Sequence, residues 1–133
     1  MNLRDFLIDA SNDEIGSALS ATYDGIVQHF VLRKWKSAGL DAGHFVEAGR
    51  RFIELKLFGQ ATPVAKALNN FNETTLSLYL KANGDESYRL LIPRTLWSLY
   101  ALRNKRSIGH LSAVPANEID ATQIGRASCR ERV

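Results

Sequence analysis

Arg103, Asn104 and His110, inside the octet RNKRSIGH at 103–110, are residues whose types and spacing could do chemistry together. Seven positions separate the arginine from the histidine. That is close to two turns of an α-helix at about 3.6 residues per turn, so both can lie on one face. Arginine is a permanent planar cation that fits phosphate oxygens, and an ordinary histidine titrates at roughly pH 6.5. Together they can hold one phosphate and move one proton, the chemistry of metal-free RNA cleavage. His110 would take the proton of a ribose 2′-hydroxyl, which attacks the adjacent phosphorus and leaves a 2′,3′-cyclic phosphate and a 5′-hydroxyl. Arg103 would stabilise the charge developing on the phosphate oxygens, and Asn104 could orient the phosphate or the imidazole. DNA lacks the attacking hydroxyl, so RNA alone is expected as substrate.

Four further residues are candidates for RNA contact, each with a plainer alternative. Lys105 and Arg106 could hold flanking phosphates without choosing sequence, or simply complement the dipole at a helix C-terminus. Tyr100, one turn before Arg103, could stack on a base or pack in the core. Arg94, beside Pro93, could reach the same groove or stay solvated. His29 and His44 read as ordinary helix residues, and Trp35 and Trp97 as core or interface anchors. No HxxxH or HxxE pair with neighbouring acids suggests a metal site, and no glycine-rich phosphate loop appears, so neither a metal nor a cofactor is expected.

Composition narrows the classes further once the last ten residues are set aside. The segment 124–133, IGRASCRERV, reads as the translation of a sequencing adapter, which places the expected natural end near residue 123. It holds Cys129, the single cysteine, so disulfides and thiolate chemistry are not expected in the remainder. Arg126, Arg130, Arg132 and Glu131 supply +2 of the net +3, leaving +1 for residues 1–123. Overall charge is therefore no argument for nucleic-acid binding. No run is apolar and long enough to span a bilayer, and no leader pattern opens the chain; a cytoplasmic protein with one domain over 1–123 is expected.

The elements that must position the octet read as helices. Ser11-Asn12-Asp13-Glu14 has the form of a capping box. Ile15, Leu19, Tyr23 (or Thr22), Ile26 and Phe30 then recur at helical spacing, predicting a helix over 12–37 that Gly39 stops. Asp41 is a candidate N-cap for a second helix over 41–58, ending before Gly59. Phe45, Ala48 (or Gly49), Phe52 and Leu55 mark its apolar side, with Arg50, Arg51, Glu54 and Lys56 solvated. Pro63 predicts a short helix over 63–69, and Leu76, Tyr79 and Leu80 another over 73–82. The last helix begins near Asp85 and is started or kinked by Pro93. Leu96, Tyr100 and Arg103 continue one stripe along it, so Arg103 is expected against a carboxylate or in a groove. The stretch LSAVPANEIDAT after His110 is loop-like, with Asp120 a further N-cap candidate. The pattern predicts an all-α bundle of four to five helices, cut before its last one.

On these residues the chain resembles the HEPN superfamily, the higher eukaryote and prokaryote nucleotide-binding domain. Its signature is an Arg, then a polar residue, then a His after a gap of four to six; Arg103, Asn104 and His110 match. The phrase IPRTLWSLYALRNKRSIGHLSAVPANEIDAT resembles a bacterial group carrying an RNKRxxGH motif, a resemblance covering 88–122. It implies an up-and-down helical core and a homodimer whose two motifs face each other. It also implies metal-independent endoribonuclease activity in toxin–antitoxin or phage-defence systems, with an antitoxin protein as a further partner. The alternative it implies is a non-catalytic module that binds a nucleotide or a partner protein.

Overall fold

The computed structural model describes residues 2–105, and among these every regular element is helical, arranged up and down. The first element, α1 (Leu3–Ala10), is too short for periodicity to reveal. The Asn2 side chain caps it by accepting from the Asp5 N–H at 2.8 Å. At its other end the Ser11 hydroxyl donates to the Leu7 carbonyl at 2.6 Å. Ser11 thus closes α1, and the capping box expected between Ser11 and Glu14 is replaced. Asn12, extended at φ −155°, is the N-cap of α2 (Asp13–Val31), its side chain accepting from the Ile15 N–H.

The helix expected over 12–37 is in fact two. α2 ends at Val31, and Arg33 adopts a left-handed φ of 58°, which turns the chain back into α3 (Trp35–Phe58). Gly39 therefore lies inside a helix and stops nothing. Asp41 is not an N-cap; its carboxylate meets His29 Nδ1 on α2 at 2.5 Å. The physical reason is the stripe Ala38, Ala42, Val46 and Ile53, all buried on α3. Small residues at the start of that stripe let α3 lie close along α2, and this packing outweighs the helix-stopping tendency of Gly39. α3 ends as expected, at Gly59 in the left-handed region with φ 77°.

Between Gly59 and Asn72 no helix forms, against the expectation for 63–69. A single turn closes there, from the Lys66 N–H to the Pro63 carbonyl. The carbonyls that a helix would use internally are taken by α3 instead. Arg51 donates to those of Thr62 and Lys66 at 3.1 and 2.9 Å, and Arg50 to that of Asn69 at 2.7 Å. Glu54 completes the clamp by accepting from the Thr62 N–H and hydroxyl. Arg50 and Arg51, expected on a solvated face, are accordingly buried, at 6% and 7% exposure.

α4 (Glu73–Lys81) starts at Asn72, whose side chain accepts from the Thr75 N–H. A π-helical turn (Ser87–Leu91) then leads into α5 (Ile92–Lys105). Pro93 is the second residue of α5 and is fully buried. A proline ring collides with the carbonyl four residues back. The wider turn, in which the Ile92 N–H reaches the Ser87 carbonyl, moves the backbone aside and admits the ring without breaking the helix. Leu96 and Leu99 of α5 then meet Ile26, Val46, Ile53 and Tyr79 in the main core. Ile53 and Leu99 are wholly inaccessible; burying each contributes about 1.5–3 kcal/mol. Ile15, Leu19 and Ala48 form a second, smaller cluster between α2 and α3.

Candidate functional site

Arg103 extends the α5 stripe that begins with Leu96 and Leu99, one turn beyond Tyr100. It reaches α3 at Gly43, where a Cβ would stand 2.7 Å from Arg103 Nε, 3.0 Å from Cζ and 3.1 Å from Cδ. The side chain therefore crosses α3 at a place where α3 has no side chain. Its Nε is sealed from solvent and has no hydrogen-bond partner. Leaving a buried donor unsatisfied costs about 1–3 kcal/mol. The terminal nitrogens bond to nothing among the described residues, and the residue as a whole is half-buried. Of the two expectations, a carboxylate partner or a groove, the described residues show the groove.

That groove is a cavity of about 310 Å³ between α3, the 64–71 segment and α5. Gly43, Val46, Glu47 and Arg50 border it along one side of α3, with Arg51, Lys66, Asn69, Asn70, Phe71, Tyr100 and Arg103 completing the wall. Four cations, Arg50, Arg51, Lys66 and Arg103, thus face one carboxylate, Glu47, and among the described residues none of these cations is ion-paired. Such a wall focuses positive potential into a partly desolvated space. The cations are not equivalent. Arg50 is committed through Nη1 to Asn69, through Nε to the Tyr79 hydroxyl at 3.4 Å, and through its face to the Phe71 ring, 4.6 Å from Cζ. Arg51 is committed to Thr62 and Lys66. Arg103 is committed to none of the described residues. Phe71 and Tyr100 meet with centroids 5.5 Å apart and form the aromatic part of the wall.

The expected site residues fall into three groups. Arg103 and Tyr100 come together in the cavity. Asn104 is exposed at the end of α5 and does not border the cavity; Lys105 is the last residue of that helix. Arg94 is exposed as well, and nine residues of helix at about 100° each place it half a turn away from Arg103. His110 and Arg106 lie outside the described residues, as does the whole segment 124–133. Of the other histidines, His29 pairs with Asp41, for which Gly25 leaves room, and His44 is exposed. No group of His, Cys, Asp and Glu among the described residues could hold a metal ion. No described helix is long and apolar enough to cross a membrane.

Gly43, Arg50 and Arg51 were not expected here. The signal that could have found them is the α3 spacing 43, 46–47, 50, one helical side, together with two adjacent arginines preceding a proline loop with many free carbonyls. No protein-family model matches the chain, and no curated protein or solved structure is significantly similar to it.

Proposed function

We propose that this chain is a HEPN-like, metal-independent endoribonuclease, acting as a homodimer in a toxin–antitoxin or anti-phage setting. One observation carries the reading: Arg103, the arginine of the expected motif, opens onto a cationic cavity with its guanidinium uncommitted among the described residues. A structural arginine of a helical bundle ordinarily ends on a carboxylate or on backbone carbonyls, as Arg50 and Arg51 do. A guanidinium left open beside three further cations suits a phosphate, to which it can present two parallel donors. In this reading Arg103 binds the phosphate, His110 takes the 2′-hydroxyl proton, Asn104 orients the reacting groups, and Lys105 and Arg106 hold neighbouring phosphates.

The test is cleavage of RNA in EDTA by the chain beside its His110→Ala and Arg103→Ala variants. Products ending in cyclic phosphate, lost in both variants while the helical circular dichroism is kept, are expected. Equal cleavage by wild type and His110→Ala would refute the assignment. A second reading is a module that binds a nucleotide without cutting it. The cavity's volume favours it, since about 300 Å³ is the lower end of small-ligand sites. Nucleotide binding with no cleavage by any variant would decide for that reading.

A further inference from the structure

We propose that Gly43 on α3 is the positioning residue of this site, seating the Arg103 guanidinium against bare helix backbone so that its fork meets a nucleotide phosphate in the cavity. The inference rests on the phosphate-binding part of the reading above, and is independent of whether RNA is cut. Three consecutive side-chain atoms of Arg103, Cδ, Nε and Cζ, come within 3.1 Å of where a Gly43 Cβ would be. Any other residue at 43 would occupy the place of the guanidinium stem. Because Nε is sealed and unpartnered, whereas the terminal nitrogens bond to nothing within the described chain, the available donors all sit at the outer end of the fork. A guanidinium free to swing would lose rotamer freedom on binding; one held against α3 has lost it already.

The surroundings specify the ligand class. Arg50 Cζ lies 4.6 Å from the centre of the Phe71 ring, and the buried Phe71 meets the half-buried Tyr100 at a tilt of 48°, so Tyr100 is the aromatic residue left to face the cavity beside Arg103. Phosphate beside an aromatic wall is the arrangement that binds unpaired nucleotides, whose bases stack while their phosphates pair with cations. An inorganic anion would use the cations alone. Lys66 and Arg51 extend the positive wall along the 64–71 segment, where a second phosphate of the same strand would lie.

The experiment measures binding of a short fluorescein-labelled 2′-O-methyl RNA, which cannot be cleaved by 2′-hydroxyl attack, by fluorescence anisotropy at low salt. Competition by adenosine monophosphate and by inorganic phosphate distinguishes strand, single nucleotide and bare anion. Gly43→Ala is expected to weaken the RNA by about tenfold, a loss of about 1.4 kcal/mol, with an unchanged helical spectrum. Arg103→Lys, which keeps the charge but not the fork, is expected to lose as much. The 2′-O-methyl strand cannot be cut by 2′-hydroxyl attack, so failed cleavage and failed binding are separable outcomes. Wild-type affinity in Gly43→Ala, or no binding by wild type, would overturn the proposal. So would inorganic phosphate competing as well as the mononucleotide. Should Gly43→Ala lose its fold, full affinity in Arg103→Lys would overturn it instead.

Discussion

Gly16→Ala, in the first turn of α2, and Gly43→Ala, in the middle of α3, make one chemical change at two helical positions, and the structure requires them to move stability in opposite directions. In each, replacing a helical glycine by alanine gains about 0.8–1 kcal/mol of propensity. At Gly43 the new methyl meets only the outer part of the Arg103 side chain. That side chain can swing toward water, so most of the gain survives and a stabilisation of about 0.5–1 kcal/mol is expected. At Gly16 the methyl would meet backbone, standing 2.5 Å from Ile8 Cα and 2.7 Å from Ile8 Cγ1. Backbone cannot rotate aside, so α1 must retreat from α2 by about 1 Å to reach ordinary contact, and overpacking of this kind costs about 1–3 kcal/mol. After subtracting the propensity gain, a net loss of about 1 kcal/mol remains. For a domain of about 100 residues that lowers the melting temperature by roughly 4–8 °C. Thermal and urea unfolding followed by circular dichroism would measure both variants against wild type. The difference between the two, about 2 kcal/mol, cancels whatever they share. A Gly16→Ala variant melting at or above wild type would show that α1 does not sit against that glycine, and the packing argument would fall.

Other expectations are simpler. Arg51→Ala removes the clamp on the Thr62 and Lys66 carbonyls; a loss of about 1.5–3 kcal/mol is expected. Tryptic cutting after Lys66 should also quicken, which mass spectrometry would show. Glu47→Gln removes the one carboxylate that the described residues place on the cavity wall and should tighten binding of the uncleavable RNA about two- to fivefold at low salt, with the gain shrinking as salt rises. Asp85 accepts a hydrogen bond from the Ser87 N–H, which, with the Ser87 hydroxyl and the charge of Arg89, lowers its pKa below the usual carboxylate value. Its contribution is present above the unfolded pKa of about 4 and lost as pH falls through the lower folded value. Wild type should therefore lose helicity more steeply than Asp85→Asn as pH drops below about 4, and superimposable acid titrations would contradict this.

How much of this was legible in the sequence depends on the range of the forces involved. The all-α class, α4, the end of α3 at Gly59 and the stripe leading to Arg103 rest on spacing and local stop signals, and these the residues display directly. The break at 32–34 is different. No glycine or proline marks it, and the left-handed residue is Arg33, so the turn is imposed by α2 packing on α3. The failure of the helix over 63–69 has the same character, because the competitors for its carbonyls, Arg50 and Arg51, are ten or more positions away. In the site, Arg103 and Tyr100 were visible as a stripe. Gly43 was not, since a glycine in a helix looks like a weakness until the chain brings an arginine across it.

The π-helical turn at Ser87–Leu91 holds one residue more than an α-helical path would, and this surplus works as an angular setting. Each residue advances an α-helix by about 100°. Deleting one residue from the turn would rotate the chain on one side of it by that angle relative to the other. Leu96 and Leu99 are pinned in the core. If they held, the upstream part would turn instead, taking Tyr88 off Phe52 and Arg89 off the Leu80 and Gly84 carbonyls. If α5 turned, Arg103 would leave Gly43 and point away from the cavity. The direction of one guanidinium is thus tuned by counting residues a dozen positions before it, at a place that touches neither the cavity nor anything bound there.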